Sequence, residues 1–145
     1  MKRFIITLSV VLTLATSYSF AADVKVSSNV LQDFKTRFFD AENVKWSEAN
    51  GYTIAEFTVE GEPQYAYYTS SGELAVVAQP LVISQLSKAQ QAGLKKEYKD
   101  FAIINLYKVE DEESTKVYAV VENSTTRIIL SSTSKKWDVV KTSSK

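Results

Sequence analysis

Residues 52–79, YTIAEFTVEGEPQYAYYTSSGELAVVAQ, alternate apolar and polar side chains in short runs that break at Glu60-Gly61 and at Ser71-Gly72. A period of two is the signature of a strand with one covered face. In the first run Ala55, Phe57 and Val59 share one face, while Ile54, Glu56 and Thr58 share the other. The runs Gln64 to Thr69 and Glu73 to Gln79 follow, and the tight turns between the runs make antiparallel hairpins the expected connection.

Upstream, Asn50-Gly51 is a strong two-residue hairpin signal, and Val44-Lys45-Trp46 begins the strand that precedes it. Further back, Val30, Leu31, Phe34 and Phe38 recur at spacings of three and four, which marks one face of a helix. Asn29 is the expected cap, with Gln32 three residues on, and Asp40 to Asn43 ends the helix. The first half therefore reads as a helix followed by four antiparallel strands, closed by Pro80.

Downstream the same order returns. Ser87-Lys88-Ala89-Gln90 has the form of a capping box, and Ala89, Ala92, Leu94 and Tyr98 give a second helical stripe. Strands are expected over Phe101–Val109, Lys116–Glu122, Thr126–Ser131 and Lys136–Lys141. Shifting the chain by 62 places sets Phe57 on Ala119, Val59 on Val121, Ala66 on Ile128 and Tyr68 on Leu130, apolar on apolar each time. The expected fold is α+β, with tandem helix-plus-four-stranded antiparallel units over about residues 28–80 and 81–141.

If the matched positions face the helices, the inward set is Ala55, Phe57, Val59, Ala66 and Tyr68, with Val117, Ala119, Val121, Ile128 and Leu130. The outward set then holds Tyr52, Ile54, Tyr65 and Tyr67, with Tyr118, Val120 and Ile129, beside Lys116 and Arg127. Tyrosine gives large contact area at low entropic cost and suits an interface. It also stabilises a half-covered sheet that has no partner at all, so both readings stand open at this point.

The N-terminus carries Lys2-Arg3, an apolar run from Phe4 to Leu14 and small residues up to Ala21, the pattern of a signal peptide over residues 1–21. The run is shorter than the roughly 20 residues that a spanning helix needs, so cleavage after Ala21 and no membrane insertion thereafter are expected. With no cysteine, the mature chain cannot carry a lipidated cysteine, and the product is expected in the periplasm or secreted. Cleavage removes two of the 17 basic residues and none of the 17 acidic ones, leaving 124 residues at net charge −2. Lysine and glutamate alternate along the chain, so there is no basic stripe to draw nucleic acid.

The absence of histidine and cysteine excludes Ser-His-Asp and Cys-His catalysis and the usual zinc sites. Ser132-Thr133-Ser134-Lys135 has the S-x-x-K spacing of penicillin-binding enzymes, but it falls in an expected hairpin turn rather than at a helix start. Glu110 to Glu113 lacks the alternating ligands and the glycine of a calcium loop, and Asn123-Ser124-Thr125 reads as a turn. No catalytic residue, metal or cofactor is expected.

The order helix, Val44-Lys45-Trp46, Tyr65-Ala66-Tyr67-Tyr68, Ser71-Gly72-Glu73-Leu74 and a second helix resembles the PepSY-like family over about Val30 to Val140. The chain departs from the family at Leu86-Ser87, where Leu-Pro is usual, and at Ser134, where a turn glycine is usual. The resemblance implies a fold like the β-lactamase inhibitory protein and a non-enzymatic binding or inhibitory role. The partner expected on that basis is an exported protein such as a hydrolase, and the outward face read above would hold it through Tyr52, Tyr65, Tyr67, Tyr118 and Arg127. The alternative is an envelope protein that binds a small ligand or peptide. Edge strands leave both a monomer and a dimer open.

Overall fold

The computed structural model describes residues 24–145, so the expected signal peptide lies outside the described residues. The chain divides into two compact units, the first ending at Ala78 and the second beginning at Gln79.

In the first unit, helix α1 (Ser28–Arg37) precedes strands β1 (Glu42–Ala49), β2 (Tyr52–Val59), β3 (Glu62–Tyr68) and β4 (Leu74–Pro80). Each strand pairs antiparallel with the next, with Ala55 opposite Ala66 and Tyr67 opposite Val76. The connections are as tight as the sequence implies. Asn50 and Gly51 have φ of 50° and 81°, and Glu60 and Gly61 have 51° and 83°, the paired positive values that match the twist of a two-residue hairpin.

Helix α1 is capped by Ser27, whose Oγ accepts the Val30 amide, and not by Asn29, which already lies inside the helix. Ser27 is extended at φ −64° and ψ 150°, the backbone a cap requires. The helix sets Val30, Phe34 and Phe38 on Ala55, Phe57, Ala66 and Tyr68, with Trp46, Val59 and Leu74 at the margins. Phe34 is the centre. Its ring lies 5.1 Å from Phe38, 5.1 Å from Trp46 and 5.0 Å from Phe57, the last two edge-on. At the other side of this core the Tyr68 hydroxyl donates to Asp33, which also accepts from Arg37 one turn along the helix.

In the second unit, a 3₁₀ turn (Ile83–Gln85) leads to helix α2 (Lys88–Glu97) and strands β5 (Ala102–Glu110), β6 (Thr115–Glu122), β7 (Thr126–Ser132) and β8 (Asp138–Ser144). These strands also pair antiparallel in chain order. The capping box is present: Ser87 Oγ accepts the Gln90 amide, and Gln90 Oε1 accepts the Ser87 amide. Leu86 and Leu94 pack on Leu106, Ala119, Val121, Leu130 and Trp137, with Val117 and Ile128 at the edge. All ten expected inward positions therefore lie against a helix in their own unit.

Two expectations fail here for one reason. Ala89 and Ala92 are exposed, and the helix buries Gln90 instead. Trp137 does not join the last strand, which starts at Asp138 rather than Lys136. The Trp137 indole instead lies against α2 and donates to the Gln90 carbonyl at 2.9 Å, while Gln90 Nε2 donates to Ser132 at 3.2 Å. A buried amide with its groups satisfied is stable where hydropathy alone would expose it.

Trp137 also decides what Gly93 tolerates. A Cβ on Gly93 would sit 3.0 Å from the indole Cδ1. Ala gains up to about 1 kcal/mol of helix propensity over Gly, but overpacking costs about 1–3 kcal/mol. Gly93→Ala is expected to lower the urea midpoint. In a Trp137→Leu background, with the indole gone, the same substitution is expected to be neutral or stabilising.

Candidate binding face

A strand that turns one row of side chains toward a helix turns the alternate row away from it. In the first unit, the row away from α1 holds Tyr52, Ile54 and Glu56 on β2, opposite Tyr65 and Tyr67 on β3, with Ile54 paired to Tyr67 and Glu56 to Tyr65. Tyr52 and Tyr67 meet edge-to-face at 6.0 Å. Tyr52 and Tyr65 are half-buried, whereas Tyr67 is 0% exposed. The structure thus brings these three expected tyrosines together on one face.

In the second unit, the row away from α2 holds Tyr118 and Val120 on β6 and Ile129 and Arg127 on β7. Tyr118 is only 4% exposed, and its burial, aided by the charge of Asp111, pushes the phenol up to about 12. Arg127 is committed to a local network. It pairs with Glu122 at 2.9 Å, directly across the β6–β7 ladder, and Glu122 is held from its other side by Lys145 at 3.1 Å. The hydrogen bonds from Arg127 and Lys145 hold the Glu122 carboxyl below the usual carboxylate range.

Sequence reading missed Tyr107 and Glu122 on this face. Tyr107 stands directly opposite Tyr118, and its hydroxyl accepts from Asn105 at 3.3 Å. A bulge between Ile103 and Asn105 breaks the period-two signal at the start of β5, so the strand shows no clean alternation. The partner of Arg127 was legible as Glu122, five residues earlier across a turn.

The other sequence motifs take structural places. Ser132 is buried at the end of β7 and accepts from Gln90. Asp111 accepts the Glu113 and Ser114 amides, and Asn123 accepts those of Thr125 and Thr126, each bridging a turn. Among the described residues there is no group of three or more acidic side chains placed to hold a metal, and no helix long and apolar enough to cross a membrane.

The buried phenol makes a testable contribution. Because folding raises the Tyr118 pKa above its ordinary 10.0, the stability that its neutral form supplies is complete below about pH 10 and is lost as pH rises toward 12. Spectrophotometric titration of the wild type minus Tyr118→Phe is expected to show a phenolate midpoint near 12. A midpoint near 10 would mean that the phenol is hydrated.

No protein-family model matches this chain, and no curated protein matches it in sequence. Solved structures do match it. A DUF2874 family protein from Bacteroides uniformis aligns at a TM-score of 0.71 and 16% identity, over 83% of this chain and 90% of that one. Another from Bacteroides ovatus aligns at 0.72 and 20% identity, over 84% and 89%. A BLIP-like protein from Bacteroides fragilis aligns at 0.68 and 16% identity, over 85% and 89%. At these identities the likeness carries the fold, which is BLIP-like, as the PepSY-like resemblance implied; membership of the PepSY-like family itself has no matching family model behind it.

Proposed function

We propose that this protein is an exported, non-enzymatic binding module that engages another exported protein through its tyrosine-bearing sheet faces. The observation that carries the reading is the segregation of side chains: in each unit the helix covers one sheet face, and the tyrosines Tyr52, Tyr65 and Tyr67, or Tyr107 and Tyr118, stand on the other. Half-buried Tyr52 and Tyr65 offer contact area and a phenol at low entropic cost, while Tyr67 and Tyr118 are the buried floor that fixes the surface around them. Arg127, neutralised by Glu122, orients polar contacts rather than supplying a lone charge. The fold is named after an inhibitory protein, and by that analogy of fold the partner is a hydrolase that this chain restrains. A neighbour from Bacteroides eggerthii, provisionally described as periplasmic, supports a periplasmic setting.

The test is capture by the exported protein from envelope and culture fractions of its own organism, beside a Tyr52→Ala, Tyr65→Ala variant whose melting temperature is checked. The proposal expects one protein held by the wild type and lost by the folded variant, and a fall in that protein's hydrolytic rate when the module is added. Identical retention by both forms, or no retention, overturns it. Leaving Tyr67 and Tyr118 unaltered keeps loss of binding separate from loss of fold.

A further inference from the structure

At one end of the first unit a groove of about 490 Å³ opens between the segment leading into α1 and the β1–β2 turn. Its walls include Lys25, Ser27, Glu48, Asn50, Tyr52 and Thr69. The volume falls in the range of small-molecule sites, about 300–1,000 Å³. Its charge pattern is specific. One lysine and one glutamate line the same space from different segments, and no ion pair joins either of them to another described residue. Both side chains are exposed, and Glu48 lies on the same side of β1 as Trp46, the side on which α1 packs.

The backbone that carries the two residues is fixed on both sides of the groove. Ser27, two residues after Lys25, is fixed by its bond to the Val30 amide. Glu48 pairs with Thr53 in the ladder that closes on the Asn50-Gly51 turn. Tyr52, the residue before Thr53, also borders the groove, while its ring packs edge-on against Tyr67 on the other face of the sheet. A ligand with a single charge meets one attractive and one repulsive wall. A ligand with an ammonium and a carboxylate satisfies both walls at once.

We infer that this groove binds small zwitterions, meaning free amino acids or short peptides with both termini charged, with Glu48 receiving the ammonium and Lys25 the carboxylate. The site borders the tyrosine face at Tyr52, but its two charged residues lie off that face and the inference does not depend on the function proposed for it.

The test is an NMR titration of the purified exported protein with glycyl-leucine, with leucine, and with N-acetyl-glycyl-leucine amide, which keeps the shape and loses both charges. Saturable shifts at Lys25, Glu48 and Tyr52 are expected with glycyl-leucine or leucine and not with the capped peptide. Lys25→Gln and Glu48→Gln, both on exposed side chains, are each expected to weaken binding about fivefold, the size of one surface charge contact. Equal binding of the capped peptide, affinity unchanged in both variants, or no saturable shift with any of the three ligands overturns the assignment. Failure here leaves the capture experiment on the tyrosine face unaffected, because neither variant touches that face.

Discussion

Phe34 is the contact on which the first unit depends. A helix of ten residues is marginal in water by itself, since nucleation costs more than so few hydrogen bonds return. Tertiary packing has to supply the difference, and here one ring touches Phe38 on its own helix end, Trp46 on β1 and Phe57 on β2. Helix, edge strand and inner strand are thus fixed by a single side chain. Once that ring is seated, the parity of every residue in β2 and β3 follows, because their ladder allows no slip without turning the apolar row outward. The tyrosine row is the geometric complement of the Phe34 contact.

The second unit reaches the same order of elements by other means. Its helix has no phenylalanine facing the sheet and buries Leu94 and Gln90. Apart from the helix's own backbone ladder, Gln90 takes part in four hydrogen bonds: its amide and Oε1 close the cap with Ser87, its Nε2 reaches Ser132, and its carbonyl receives the Trp137 indole. Each of these groups would cost free energy if buried alone, and together they tie the helix start, β7 and the entry to β8. Where the first unit is held by ring packing, which tolerates small shifts, this one is held by directional bonds. That is why Gly93, close under Trp137, has so little room.

This contrast explains what could be read in the chain. The strand faces were legible, down to the ten inward positions, because alternation is a local property of residues 52–79 and 115–132. Hairpin turns were legible at Asn50-Gly51 because positive φ at both positions restricts the residues that fit. The second helix face was not, because Gln90 counts as polar in any pattern and its partners Ser132 and Trp137 lie more than forty residues away. The first cap was misplaced by two residues, since Ser27, Ser28 and Asn29 are all capping types and only the Phe34 packing selects among the registers. The groove beside α1 was invisible for the same reason as Gln90: Lys25, Glu48 and Thr69, far apart in sequence, border one space only in the folded unit.

The tyrosine rows also separate into two kinds of phenol, and the distinction bears on what the outer faces are for. Tyr68, on the helix side, is buried and gives its hydroxyl to Asp33, so a local acceptor accounts for the polar group. Tyr118, on the other side, is equally enclosed, but what acts on its hydroxyl is burial and the charge of Asp111, both of which oppose ionisation and neither of which is a hydrogen bond. Strand propensity favours valine or isoleucine at such a position as much as tyrosine, and neither carries a group that must be desolvated. At 4% exposed, Tyr118 has almost no area of its own to offer a partner; its ring packs opposite Tyr107 in the β5–β6 ladder, and the enclosed hydroxyl is what that packing costs.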